Sequence, residues 1–227
     1  MRIVLAILCF LLLTAEIPLA ERRSGYEFMS RETRAMQDDD FANPASLWVL
    51  DGEALFKANC SSCHADMKGV AARYPKAGVS LDQQINRCLK TKPFPYESRE
   101  LLALTVYVAK QSRGMPIEAG WNGRTEAGRA LFQRRQGQLN LACSQCHDDN
   151  WGKQLAGTTI PQAHPTGYPI YRLEWQGLGS LQRRFRNCLI GVRAEPYAYG
   201  SPEYVELEMY LMWRARGMKL ETPAVRP

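Results

Sequence analysis

Histidine is scarce in this chain: His64, His147 and His164 are the whole complement in 227 residues. Two six-coordinate irons held by four histidines are thereby excluded. Long apolar runs are also lacking. The one near the start, Ile3 to Leu13, is too short to span a bilayer. No second run follows it, so no stable membrane insertion is expected. No basic run carries interleaved aromatics, which argues against nucleic acid as a partner, although the formal net charge is +6. No alternating strand pattern surrounds the cysteine motifs described next, which removes a thioredoxin-like setting for them.

What the chain does have is two Cys-x-x-Cys-His runs, Cys60-Ser61-Ser62-Cys63-His64 and Cys143-Ser144-Gln145-Cys146-His147. This pattern is the covalent attachment site of a c-type haem. Two thiols three positions apart reach the two vinyl groups of one porphyrin, and the adjacent imidazole then lies under the iron as proximal ligand. A zinc ribbon, the main rival, would gather four sulfurs in one tetrahedral site and would leave both histidines unexplained. The expectation is therefore two covalently bound haem c groups, one held by Cys60 and Cys63 with His64 on its iron, the other by Cys143 and Cys146 with His147 on its iron.

The early apolar run reads as part of a secretory signal. Arg2 precedes it, and a polar break with Pro18-Leu19-Ala20 follows, which places the cut near Ala20. Cys9 sits behind Leu8, whereas a lipidated cysteine follows a small residue, so Cys9 belongs to the discarded segment. Export to the periplasm suits the haems, because c-type attachment takes place outside the cytoplasm in bacteria. A net basic surface steers acidic proteins or anionic substrates, and it is equally compatible with plain solvation.

An internal repeat extends beyond the haem motifs. Gly52-Glu53-Ala54-Leu55-Phe56 precedes the first, and Gly128-Arg129-Ala130-Leu131-Phe132 the second. Ser80-Leu81 leads to Cys88-Leu89 as Ser180-Leu181 leads to Cys188-Leu189, with seven residues from leucine to cysteine in both. Each half then closes with a helical stretch, Glu100 to Arg113 and Glu203 to Arg216, stopped by glycine in Arg113-Gly114-Met115 and Arg216-Gly217-Met218. The expected fold is mainly α: two tandem cytochrome c-like domains at 21–115 and 122–227, joined by a linker at 116–121. The Leu-Phe of each first helix should pack on the last helix of its half, near Val106 and Tyr107 or Tyr210 and Leu211. A longer insertion, Trp151 to Gly179, distinguishes the second half and suggests that it carries extra work.

Cysteine arithmetic sharpens the site. Of seven cysteines, one lies in the signal and four in the haem motifs, leaving Cys88 and Cys188 at equivalent repeat positions. Arg87 lies beside the first, and Arg183, Arg184 and Arg186 precede the second. Three readings stay open. Each cysteine is the distal thiolate of its own haem, a state that nearby arginines favour. Alternatively, the repeat-equivalent Met115 and Met218 are the distal ligands, their structural alternative being to cap the last helix and fill core space. In the third reading, Cys88 and Cys188 form a disulfide between the halves, as an oxidising compartment allows.

Further segments carry a resemblance. Arg135-Gln136-Gly137-Gln138-Leu139-Asn140-Leu141, Gln162-Ala163-His164-Pro165-Thr166-Gly167-Tyr168-Pro169, Tyr171-Arg172-Leu173-Glu174-Trp175-Gln176, Val192-Arg193-Ala194-Glu195-Pro196 and Glu203-Tyr204-Val205-Glu206-Leu207-Glu208 resemble the SoxA family, the dihaem subunits of SoxAX cytochromes in sulfur-oxidising bacteria. The resemblance covers the whole mature chain and is most specific from about Trp121 onward. It implies an L-cysteine S-thiosulfotransferase, which couples thiosulfate oxidatively to a cysteine of the SoxY carrier (SoxYZ) and passes two electrons to haem. It also implies a SoxX-like monohaem cytochrome as partner and a downstream electron acceptor. Carried onto this sequence, it makes Cys188 both iron ligand and catalytic residue, open to persulfide formation. Arg184 becomes the active-site arginine, and His64 with Cys88 the axial pair of the first haem.

The chemistry agrees with the residue types. An arginine fork can hold the oxyanion end of thiosulfate, and an outer persulfide sulfur can exchange with an incoming one. Arg183 and Arg186 compete with Arg184 for that role. Tyr168, Tyr171 and Trp175 are expected to wall the second haem, and His164 to have a structural role in its loop. Two other functions remain: a thiosulfate dehydrogenase that makes tetrathionate, and a dihaem electron carrier whose cysteines are structural.

Overall fold

The structure, a computed structural model, describes residues 21–89 and 92–227; the expected signal segment lies outside the described residues. It is mainly helical, as expected. In the first half, α1 (Arg31–Asp38) is followed by α2 (Ser46–Asn59), α3 (Leu81–Cys88) and α4 (Arg99–Lys110). In the second, α5 (Gly123–Gln133) leads to α6 (Cys143–His147), α7 (Leu181–Gly191) and α8 (Pro202–Arg214). Serine caps recur at matching places: Ser80 and Ser180 start α3 and α7, while Ser98 and Ser201 start α4 and α8, each hydroxyl accepting a backbone N–H of the first turn.

The expected first-to-last helix packing forms in both halves, α2 against α4 and α5 against α8. The phenylalanine of each first helix meets the tyrosine of the last, with ring centroids 5.3 Å apart for Phe56–Tyr107 and 5.4 Å for Phe132–Tyr210. One turn earlier stands a glycine that lets the helices touch backbone to backbone. A Cβ on Gly52 would lie 2.0 Å from the Ala103 carbonyl oxygen, and one on Gly128 would lie 1.9 Å from that of Glu206. No side chain fits either crossing.

The halves meet across an approximate two-fold axis. Gly114 N–H donates to Leu220 O (2.8 Å), and its repeat equivalent Gly217 donates to Ile117 O (2.9 Å). Leu220 N–H donates to Met115 O (3.0 Å), and Ile117 N–H to Met218 O (2.9 Å). Each bond is the mirror of another in the repeat, as in an isologous dimer interface. Tyr96 stacks on Tyr199 near the same axis, centroids 5.9 Å apart. Ile117, within the expected linker, is buried in this junction with Ala71, Met212 and Leu220.

Among the described residues, strands are short and confined to the second half. β1 (Gln154–Leu155) and β2 (Thr158–Thr159) form a hairpin inside the insertion, and β3 (Ile170–Arg172) pairs antiparallel with β4 (Gly177–Gly179). The C-terminal β5 (Ala224–Arg226) lies parallel to β3 on its other edge. Residues 21–45 cross onto this sheet and the loop before it. Arg23 N–H donates to Gln162 Oε1 (2.7 Å), Asn43 Nδ2 to Pro223 O (3.0 Å), and Val225 N–H to Gln37 Oε1 (3.1 Å).

Candidate haem-thiolate site

The second Cys-x-x-Cys-His motif forms the single-turn helix α6, with Gln145 Oε1 accepting the N–H of Ala142 at its start (2.9 Å). The His147 ring is then held by the insertion: its Nδ1 donates to the carbonyl oxygen of Pro161 at 2.6 Å. A carbonyl only accepts, so Nδ1 keeps the hydrogen and Nε2 keeps a lone pair for a metal. Burial lowers the pKa of His147, which favours this neutral ring. Arg214 braces the arrangement. Its Nη2 bonds Asp148 Oδ1 (2.7 Å) and Gln162 O (3.3 Å), and its guanidinium lies 4.8 Å over the Phe132 ring. His164 donates from Nδ1 to Arg23 O (2.8 Å), the structural loop role expected of it, and burial pushes its pKa down to about 4.

Cys188 and Arg184 stand one helical turn apart on α7 and so share a face. The Cys143 thiol is pushed up to about 12, by burial first and then by the neighbouring Cys188; burial and Cys188 raise Cys146 as well. Cys188 thus faces the motif of its own half. Burial opposes the charge on Arg184, but Cys188 and Tyr168 outweigh it and raise its pKa. Its two rivals are committed elsewhere. Arg183 stacks on Trp175 at 4.4 Å and reaches Glu97 at 3.9 Å, whereas Arg186 bonds Tyr197 O at 2.6 Å and lies over Tyr199.

The surroundings bring in a residue that sequence reading did not single out. Arg172 on β3 is buried, and its pKa is lowered by burial and by the like charge of Arg184. Its Nε is tied to Pro227 O (2.8 Å) and its Nη2 to Glu174 (3.1 Å). Of the three aromatics expected around this site, Tyr168 lies in the electrostatic reach of Arg184 and Cys188. Tyr171 instead packs on the first half beside Val49, Leu102 and Val106, because β3 alternates its faces. Trp175 serves as a platform for Arg172 and Arg183.

The first motif is more open. Cys60 is half-buried, and burial and then Cys88 raise its pKa; Cys63, His64 and Cys88 are exposed. Gln84 Nε2 donates to Cys88 Sγ (3.2 Å). Among the described residues the His64 ring has no hydrogen-bond partner, in contrast to His147. All six described cysteines are free, so Cys88 and Cys188 are not joined to each other. Met115 and Met218 pack together in the junction between the halves, against Ala71, Ile117 and Leu220.

These groups fit a haem c. Two free thiols, a histidine with its outer nitrogen fixed, and an apolar wall of Phe132, Phe185 and Leu189 against which Cys143 packs make up the second pocket. Comparison with known proteins agrees. The family model described as "SoxA/TsdA, cytochrome c domain" matches residues 51–117 and 127–220. The L-cysteine S-thiosulfotransferase subunit SoxA of Pseudaminobacter salicylatoxidans is 36% identical over 92% of this chain and 82% of its own length. This chain belongs to the SoxA family. The SoxA subunit of Rhodovulum sulfidophilum is 34% identical over 91% of this chain and 80% of its own length. The crystal structure of SoxXA from P. pantotrophus contains a chain that superposes with a TM-score of 0.87 at 29% identity, covering 91% of this chain and 87% of that one. As a SoxA-family cytochrome c, the protein carries covalently bound haem c.

Proposed function

We propose that this chain is the thiosulfate-coupling subunit of a periplasmic L-cysteine S-thiosulfotransferase. Its named relatives carry that activity in their descriptions. It would hold two haems c, on Cys60, Cys63 and His64 and on Cys143, Cys146 and His147, with Cys88 and Cys188 as distal ligands. The observation that carries the reading is the pairing of Cys188 with Arg184 on one face of α7, turned toward the second motif while Arg183 and Arg186 are engaged elsewhere.

The residues divide the work. Arg184 holds the oxyanion end of the thiosulfate dianion, with Tyr168 and Arg172 closing its buried surroundings. Cys188 presents a sulfur, bare or as a persulfide, to the terminal sulfur of thiosulfate and to the thiol of a carrier protein. A sulfur–sulfur bond forms between carrier and thiosulfate, the carrier thiol loses its proton, and two electrons leave. Haem c, when bound, supplies the electron sink. The P. pantotrophus structure is of SoxXA, which supports a SoxX-like monohaem cytochrome as partner here. A SoxYZ-like protein would present the acceptor cysteine, and a downstream acceptor would take the electrons.

The test mixes the oxidised protein and its monohaem partner with thiosulfate and the carrier, then measures carrier mass and tetrathionate. A thiosulfate adduct on the carrier is expected. Tetrathionate without an adduct would make the protein a thiosulfate dehydrogenase, and neither product would leave an electron carrier.

A further inference from the structure

A cavity of about 80 Å³ lies where the two halves meet, several times the space that one water needs. It is lined by Asp82 and Thr105 of the first half, Glu208 of the second, Glu97 from the turn before α4, and Tyr168. The repeat relates these groups in pairs. Thr105 is equivalent to Glu208, each two residues before the crossing tyrosine, and Asp82 is equivalent to Gln182, each following the matched leucine. Two copies of one junction have therefore diverged so that acids face it from both sides.

Two polar atoms in the cavity wall are buried with no hydrogen-bond partner, Thr105 Oγ1 and Glu97 Oε2, the second of them 3.9 Å from Arg183 Nη1. Thr105 is 6% exposed. The walls are mostly apolar, but a buried hydroxyl without a partner, beside the carboxyls of Asp82, Glu97 and Glu208 in a space of this size, calls for water. Charge is distributed unevenly around it. Burial raises the pKa of Asp82, which sits in the first turn of α3; the Ser80 hydroxyl and backbone N–H groups that it accepts favour its carboxylate and offset part of that rise. Burial also raises the pKa of Glu97, opposed by Ser180 and by the charge on Arg183, 3.9 Å away. Glu208 is buried; burial and the charge on Asp82 raise its pKa well above the carboxylate range, with nearby Gln182 opposing this only in part. The remaining titratable neighbours do not offset this: Tyr96 and Tyr168 are raised by burial, and Arg183 lies toward Glu97.

We propose that the cavity is a buried proton-holding site, in which waters link Thr105, Asp82 and Glu97 to Glu208, and Glu208 stays a neutral carboxylic acid at neutral pH. Releasing that proton would place a second negative charge opposite Asp82 in the junction. The helices that carry Cys88 and Cys188 both begin here, so the junction's charge bears on the elements that face both haem motifs. This inference concerns the junction and stands apart from the thiosulfate reaction.

Infrared spectroscopy of the haem-loaded full chain tests it. Wild type at pH 7 should show a protonated-carboxyl C=O band that shifts in D2O and is absent from the isosteric Glu208→Gln. Asp82→Asn should lose the band at lower pH than wild type, because it removes the facing negative charge that disfavours the Glu208 carboxylate. Wild type without such a band at pH 7, a band that survives in Glu208→Gln, or a midpoint that Asp82→Asn leaves untouched or raises would overturn the proposal. The first of these needs no variant to fold.

Discussion

His147 and Pro161 are joined by a 2.6 Å hydrogen bond from ring Nδ1 to carbonyl oxygen, and the carbonyl is held in place from behind by Arg214 through Gln162 and Asp148. Arg214→Ala removes two charge-assisted bonds and leaves Asp148 without its cation. We expect a stability loss of about 2 to 3 kcal/mol, read as a lower unfolding midpoint. A changed reduction potential at the second haem should accompany it, since the orientation of a ligating histidine is set by its outer partners.

The crossing glycines should be intolerant of any side chain. Gly128→Ala forces a Cβ into the Glu206 carbonyl and the Tyr210 side chain, a backbone clash that costs about 2 to 3 kcal/mol or more. Gly52→Ala should behave alike against Ala103 and Tyr107. Gly123→Ala at the start of α5, where a Cβ meets nothing within 4 Å, is the control and should leave the melting temperature almost unchanged.

His164 makes the protein sensitive to acid. Its pKa is lowered by burial from 6.5 in the ordinary case to about 4, so its contribution is fully present above the unfolded value and is lost as pH falls through the folded one. The difference amounts to about 3 kcal/mol. Thermal unfolding of wild type should weaken between pH 6.5 and about 4 more steeply than that of His164→Gln.

The two-haem assignment is open to direct counting. The mature protein should weigh its polypeptide plus two haems, and Cys60→Ser with Cys63→Ser should retain one. Arg184→Gln should keep both haems and raise the KM for thiosulfate by about ten- to a hundredfold, the worth of a charge-assisted contact to an anion.

Much of this was legible in the sequence, for a physical reason. The repeat fixes helix order, the Leu-Phe and tyrosine spacing anticipates the Phe56–Tyr107 and Phe132–Tyr210 contacts, and the serine before each leucine marks a helix start. The methionines were ambiguous because a thioether serves equally as ligand or core filler; both fill the junction. The strands were invisible, since two or three residues carry no period and β5 reaches β3 from the far end of the chain. The Pro161 carbonyl is a backbone group, so no residue type announces it. Arg172 looked like any arginine, and only the parallel pairing that buries it on β3 brings it near Arg184.

In the function proposed above, Cys188 performs the coupling. Cys188→Ala lies outside both attachment motifs, so haem content should match wild type, and intact mass spectrometry of the carrier after incubation with thiosulfate and the monohaem partner reads the chemistry. No thiosulfate adduct on the carrier, with both haems present, is the predicted result. An adduct formed at the wild-type rate would contradict the account.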